Sequence, residues 1–187
     1  MTSVAEVVIR PQRTDDAEGV ALVIGAAFAN EPDVSGLERD LAQRADSTGL
    51  VAVRGERVVG HVRLTRGWID APERLVEVLV LSPLSVAPDE QGAGIGRALV
   101  QQALRTADSA GAPAVFLEGD PGYYSLIGWR PASSIGVTPP SVRIPEAACQ
   151  VAVLSAYEPW MRGALVYADT FWSHDSVGLR EPGAVVT

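Results

Sequence analysis

The stretch Val86-Ala87-Pro88-Asp89-Glu90-Gln91-Gly92-Ala93-Gly94-Ile95-Gly96-Arg97-Ala98-Leu99 constrains this chain more than any other. An apolar, strand-like run ends at Val86, a short turn follows, three glycines alternate, and helical periodicity then sets in. A connection of this kind presents backbone N–H groups, unobstructed by side chains, at the positive end of a helix. The ligand that suits such a nest is a phosphate or pyrophosphate.

The flanking sequence supplies the other elements. Val4 to Pro11 alternates and is β-branched, which predicts a first strand. Thr14-Asp15-Asp16 offers a cap and an acidic first turn for a helix over Ala17 to Ala29. Ser35-Gly36-Leu37-Glu38 has the form of a capping box and opens a second helix reaching about Asp46. Leu50 to Arg54 and Val58 to Thr65 flank Gly55-Glu56 as a hairpin, followed by a loop containing Gly67 and Pro72. Leu75 to Leu81 is apolar apart from Glu77, the pattern of a strand covered on both faces. Ser82-Pro83 interrupts it, and proline there implies a bulge or a lost ladder partner, so the chain splays from its neighbour. Ile95 to Ala110 carries Ile95, Leu99 and Ala103 on one side and stops at Gly111. Ala114 to Leu117 is the next strand, and Asp120-Pro121 opens a two-turn helix that Gly128 closes. Gln150 to Leu154 and Ala164 to Tyr167 are the last predicted strands. The sum is a mixed α/β domain of about seven strands and about four helices.

Composition narrows the function classes. The chain has 187 residues, 47% apolar and 20% charged, which suits one globular domain spanning 1–187 with a substantial core. The net charge of −8 is carried without any basic stripe, which argues against a nucleic-acid groove and is compatible with a cationic amine substrate. No apolar run approaches the roughly 20 residues of a membrane helix, and Met1-Thr2-Ser3-Val4-Ala5-Glu6 lacks the basic head and apolar core of a signal peptide. The single cysteine, Cys149, sits in a strand-like run and reads as core packing, so a reducing cytoplasm is expected.

Phosphate-binding motifs differ in where they need glycine. A dinucleotide fingerprint requires Gly-x-Gly-x-x-Gly, but Arg97 stands where its third glycine belongs. No Gly-Lys-Ser/Thr follows, which removes the Walker pattern. Glycines that merely ease a tight strand-to-helix connection are a weaker, purely structural reading. A third reading is acetyl-CoA, because Gln91-x-x-Gly94-x-Gly96 after Val86-x-Pro88 resembles the signature of the GNAT superfamily of N-acetyltransferases. Gly119-Asp120-Pro121-Gly122-Tyr123-Tyr124-Ser125-Leu126-Ile127-Gly128-Trp129 is similar to that family's short fourth helix, Tyr-x-x-x-Gly-aromatic. The spacing between the two patches and the strand-plus-two-helix opening also match, so the resemblance covers residues 4–132. The segment 133–175, ending Tyr167-Ala168-Asp169-Thr170-Phe171-Trp172, is similar to a bacterial subgroup of acetyltransferases, and 176–187 reads as a tail.

The resemblance implies a mostly antiparallel central sheet flanked by helices and splayed at strands 4 and 5. It implies acetyl-CoA as cosubstrate and no metal. Pantetheine contacts fall on Leu84, Ser85 and Val86, and pyrophosphate contacts on Gln91, Gly92, Ala93, Gly94, Ile95, Gly96 and Arg97. The physics agrees, since the pantetheine arm carries amides that pair like an added strand with backbone exposed at a splay. Two departures stand out: Glu118-Gly119-Asp120 replaces an asparagine after the fifth strand, and Trp129 replaces the commoner phenylalanine. The first bears on how the pantetheine arm is held and so on acyl-chain preference.

Acetyl transfer to an amine requires loss of the amine proton, stabilisation of the oxyanion and protonation of the leaving thiolate. Family analogy gives the last role to Tyr124, with Tyr123 facing another way, and oxyanion stabilisation to backbone N–H at or beside Val86. Glu77 is a candidate general base, or else the solvent end of its strand, and Glu118 and Ser85 are further candidates. His61 and His174 read as surface or packing residues. Phe28, Trp68, Trp160, Tyr167 and Trp172 are candidates to line the acceptor side, and Glu31 or Asp33 to attract an ammonium. The expected function is direct transfer of an acetyl group to a primary amine of a small molecule or peptide in a ternary complex. The alternatives are a non-catalytic acyl-CoA-binding or regulatory module and, more remotely, a dinucleotide oxidoreductase. A homodimer through the C-terminal strands is compatible with this pattern.

Overall fold

The computed structural model describes residues 6–29 and 33–180; Val4, Ala5, Glu31 and residues 181–187 lie outside the described residues. The chain divides into two compact units, one of Met1–Thr65 with Leu81–Gly111 and one of Arg66–Val80 with Ala112–Thr187. In chain order the first unit brings β1 (Val7–Pro11), α1 (Ala17–Ala27), α2 (Val34–Ala42), β2 (Ser47–Arg54) and the first part of β3 (Arg57–Asp70). The second part of β4 (Leu75–Val86) and α3 (Ile95–Ser109) complete it. β1 and β3 each pair antiparallel with β2, with registers such as Ile9↔Ala52 and Val51↔His61. On one face of these strands Val20, Val23 and Ile24 of α1 pack with Val51, Val53, Val58 and Ala87. Burying each such aliphatic side chain stabilises the fold by roughly 1.5–3 kcal/mol. On the other face α3 comes so close that a methyl at Gly60 would lie 2.9 Å from Leu99 Cδ1 and 3.2 Å from Ile95 Cγ2. Glycine at that position is what lets the helix dock.

The second unit holds the remainder of β3 and β4, then β5 (Ala114–Glu118), α4 (Pro121–Tyr124), β6 (Arg130–Pro131), β7 (Val137–Thr138), β8 (Cys149–Val153), β9 (Gly163–Val166) and α5 (Asp169–Ser173). β5 runs parallel to β4 through Leu79↔Val115 and Val80↔Phe116, and antiparallel to β8 along its whole length. β9 pairs antiparallel with β3 and parallel with β7. The hydrogen-bonded strand order is β1-β2-β3-β4-β5-β8-β6, mostly antiparallel as expected. The β4–β5 ladder ends at Val80↔Phe116, while β4 itself continues to Val86.

Several local expectations are corrected. The described residues contain nine strands and five α-helices where about seven and about four were expected, the additions being the two-residue β6 and β7 and the five-residue α5. α2 is capped by Asp33, whose carboxylate accepts the Gly36 N–H at 3.0 Å, and not by Ser35. The entry to α1 falls within Thr14-Asp15-Asp16 as expected, with Asp16 as N-cap and its carboxylate accepting the Arg13 N–H at 2.7 Å. Gly67 lies inside β3, not in a loop, because Trp68, Ile69 and Asp70 pair with Val166, Leu165 and Ala164 of β9. Ser82-Pro83, a cis peptide, does not interrupt β4. Finally, the start of β4 is covered on one face only, with Leu75 and Glu77 exposed and Val76 and Val78 buried.

Candidate functional site

The glycine turn adopts the conformation its composition requires. Gly92 and Gly94 have φ of +77° and +82°, the left-handed region that other residues enter at a cost, and a methyl on either would meet nothing within 4 Å. Gly94 is the N-cap of α3, and the first helical hydrogen bond runs from Ala98 N–H to Gly94 O at 3.0 Å. The N–H groups of Ile95, Gly96 and Arg97 therefore have no acceptor within the helix, which is the anion-binding state of a helix start. Gln91, Gly92, Ala93, Gly94 and Arg97 are exposed, whereas Ile95 is buried and anchors the helix. The acidic turn before the glycines is neutralised by Arg54 on Glu90 (2.9 and 2.8 Å) and by Arg57 on Asp89 (2.8 Å twice). Both guanidinium groups hold their carboxyls below the usual range. Gln91 Nε2 donates to Val86 O at 3.1 Å and so closes the turn on the end of β4. Just before it Leu84 and Val86 are half-buried, and Ser85 is 2% exposed with no protein partner for its hydroxyl.

In the second unit, Asp120 caps α4 by accepting the Gly122 N–H at 2.9 Å, with Pro121 in the first turn as expected. A 3-10 turn (Ser125–Ile127) continues the helix, and Gly128 ends it at φ +91°. Tyr124 is wedged against the end of β5, where a methyl on Gly119 would lie 2.5 Å from its Cε2. Its ring meets Trp129 edge-on at 5.7 Å and Tyr123 at 5.0 Å. Burial, then the neighbouring Tyr123, push the Tyr124 hydroxyl up to about 12, so it stays protonated at any working pH. Tyr123 points outward, as its helical offset requires. Glu77 lies seven residues before Leu84 on β4, with 67% of its side chain exposed, and accepts from Arg66 Nη1 at 3.3 Å.

Residues 8–132 match the model of the acetyltransferase (GNAT) domain. This chain belongs to that family. Its relatives include YjhQ, an uncharacterised N-acetyltransferase of Escherichia coli K12, 32% identical over 124 residues; the match spans 64% of this chain and 66% of YjhQ. Among solved structures, E. coli YhbS in complex with CoA has a TM-score of 0.81 at 26% identity, covering 91% of this chain and 94% of that one. A GNAT acetyltransferase of Brucella melitensis in complex with acetyl-CoA has a TM-score of 0.71 at 27% identity, covering 89% and 99%.

The other candidates of this GNAT chain divide between the two units. Phe28 packs against the α1 core of the first unit. In the second unit Tyr167 is buried against Phe171, Arg74 lies over the Trp160 ring at 4.9 Å, Trp68 is half-buried and Trp172 is largely exposed. Asp33 serves as the α2 cap, and Glu31 lies outside the described residues. Glu118 accepts the Gly178 N–H at 3.1 Å, and desolvation raises its carboxyl while that bond opposes the shift. Cys149 is fully buried in β8, as expected for packing, and burial pushes its thiol up to about 12. No group of His, Cys, Asp and Glu among the described residues has a metal-holding arrangement, and no described helix is long and apolar enough to cross a membrane.

Sequence reasoning missed a buried polar strip in the first unit. Arg63 of β3 grips Glu38 of α2 in a bidentate pair, Nε to Oε2 at 2.7 Å and Nη2 to Oε1 at 2.6 Å. The pair is almost fully enclosed, at 3% and 5% exposure. Arg63 also donates to Gln12 Oε1 at 2.7 Å and Ser47 Oγ at 3.0 Å, so four of its five N–H donors have acceptors. His61 is completely buried two residues away, with Nε2 at 3.4 Å from Glu38 Oε1 and no aligned hydrogen bond to either ring nitrogen. The available signal was the alternation His61, Arg63, Thr65 in an otherwise apolar strand. Period-two polarity ordinarily marks a solvent face, and here α2 covers it.

Proposed function

We propose that this protein transfers an acetyl group from acetyl-CoA to a primary amine of a small molecule or peptide, directly and in a ternary complex. The observation that carries the reading is the open, left-handed glycine turn at the start of α3, in a chain of GNAT family. That the YhbS and Brucella relatives were solved with CoA and acetyl-CoA supports it. Leu84, Ser85 and Val86 would hold the pantetheine arm and Gln91 through Arg97 the pyrophosphate, the exposed Arg97 adding a positive charge to the backbone donors. When bound, acetyl-CoA supplies the activated acyl group and the thiol leaving group. Tyr124 keeps its proton through burial and so has one to give as the sulfur gains charge. A backbone N–H at or beside Val86 would receive the oxyanion. The base role expected for Glu77 is not given to it, since that carboxylate is largely exposed and beside Arg66. A cytoplasmic setting suits the single, buried thiol.

Free thiol released from acetyl-CoA, followed across a panel of small-molecule and peptide amines, tests this reading. Acceptor-dependent release is expected for at least one amine class. CoA binding with no acceptor-dependent release on any amine would replace it with the non-catalytic acyl-CoA-binding module.

A further inference from the structure

Among the described residues, three buried polar atoms of the first unit make no hydrogen bond within the protein: Ser85 Oγ, His61 Nδ1 and His61 Nε2, the last 3.4 Å from Glu38 Oε1. Burying such groups without a use for them costs about 1–3 kcal/mol each. They share a face. Ala87 packs with Val51 and Val53 under α1, and Ser85 lies two residues before Ala87, so the two point the same way. His61 stands directly opposite Val51 in the β2–β3 register and therefore joins that face. The strands are in matching positions, since Ala87 N–H bonds Val59 O at 2.9 Å and a methyl at Gly60 would lie 3.2 Å from Ser85 O. Gly60 faces α3, so its neighbour His61 faces the opposite way, toward Glu38. The row of polar side chains thus begins on the β4 segment assigned to the pantetheine arm and runs inward to the Glu38–Arg63 pair.

We propose that Ser85, His61 and Glu38 form a proton-exit relay for the attacking amine, an inference that rests on the acetyl-transfer reading. The ammonium proton passes to Ser85 Oγ as the hydroxyl proton passes, through one bridging water, to His61 Nδ1. The proton on His61 Nε2 passes at the same time to Glu38 Oε1. The net change is an ammonium and a carboxylate becoming a free amine and a carboxylic acid, with Ser85 and His61 restored apart from a tautomer change. Glu38 later yields its proton to solvent, which accounts for the one proton that acetylation of an ammonium releases. Burial and the nearby Arg63 charge lower the imidazole to about 3, so His61 hands protons on without storing them. Burial raises the Glu38 carboxyl against the opposing pull of Arg63, which suits a terminal acceptor. Among the described residues, Glu38 and Arg63 are the charged groups set against His61; Gln12, Ser47 and Thr65, around Arg63, carry no charge.

Ser85 touches the amine, whereas His61 and Glu38 act through it, so the test reads the pH profile as well as the rate. His61→Gln keeps polarity and approximate volume but cannot pass a proton through. Ser85→Ala removes only a hydroxyl, keeps the backbone groups assigned to the pantetheine arm, and serves where His61→Gln folds poorly. Each is expected to lower kcat about tenfold or more while acetyl-CoA affinity and melting temperature stay near those of the unaltered protein. Each is also expected to move the acid limb of kcat up to the pKa of the amine itself, so that rate follows the free-amine fraction. An unmoved acid limb with unaltered kcat in either variant would overturn the relay and leave acetyl transfer standing. No thiol release by the unaltered protein with any amine would overturn the acetyl-transfer reading, and the relay with it.

Discussion

The glycine turn and the Glu38–His61–Arg63 strip occupy the same compact unit but are made of different materials. The turn is built from backbone: Gly92 and Gly94 hold it open, and its donors are N–H groups that no substitution can delete directly. The strip is built from side chains of α2 and β3, brought together across 25 residues of sequence and almost fully enclosed. A backbone site fails when the chain cannot adopt its conformation, whereas a side-chain site fails when one partner is removed and the other is stranded. The two regions therefore predict different kinds of damage.

The largest expected effect falls on the strip. Glu38→Ala strands the Arg63 guanidinium in the interior and should cost about 3–5 kcal/mol, read by denaturant unfolding. On the turn, Gly94→Val forces a β-branched residue to a φ of +82° and should weaken acetyl-CoA binding about 100-fold by calorimetry, with little loss of fold stability because the position is exposed. Tyr124→Phe should lower kcat at least about tenfold with acetyl-CoA affinity nearly unchanged, since it removes a proton donor and keeps the ring that packs on Gly119. Glu77→Gln is the smallest: an exposed pair with Arg66 contributes about 0–1 kcal/mol, so unfolding and turnover should both stay close to those of the unaltered protein. A large loss of turnover on Glu77→Gln would return that carboxylate to the catalytic role.

What was legible in the sequence follows the same division. Gly55, Gly111, Gly128 and the Asp120-Pro121 cap all mark element ends through local backbone chemistry, and the structure has a turn or a cap at each. The helix after the glycines was legible because Ile95, Leu99 and Ala103 repeat over enough turns to show a period. β6 and β7 were not, because two residues carry no period, and Gly67 reads as a loop until its β9 partner is known. Asp33 displaced Ser35 as a cap because either can reach a free N–H, and packing of α2 decides between them. The strip was hidden for a deeper reason. Burial of His61 and Arg63 depends on which helix covers the strand, and Glu38, in α2's predicted first turn, had an alternative use in a capping box.

Crystallisation of the protein with CoA would put the glycine turn to a single geometric test. The pyrophosphate oxygens are expected to accept hydrogen bonds from backbone N–H groups between Gln91 and Arg97, with Gly92 and Gly94 still at positive φ. A bound CoA whose pyrophosphate lies away from that turn would contradict the assignment of the turn as the donor site.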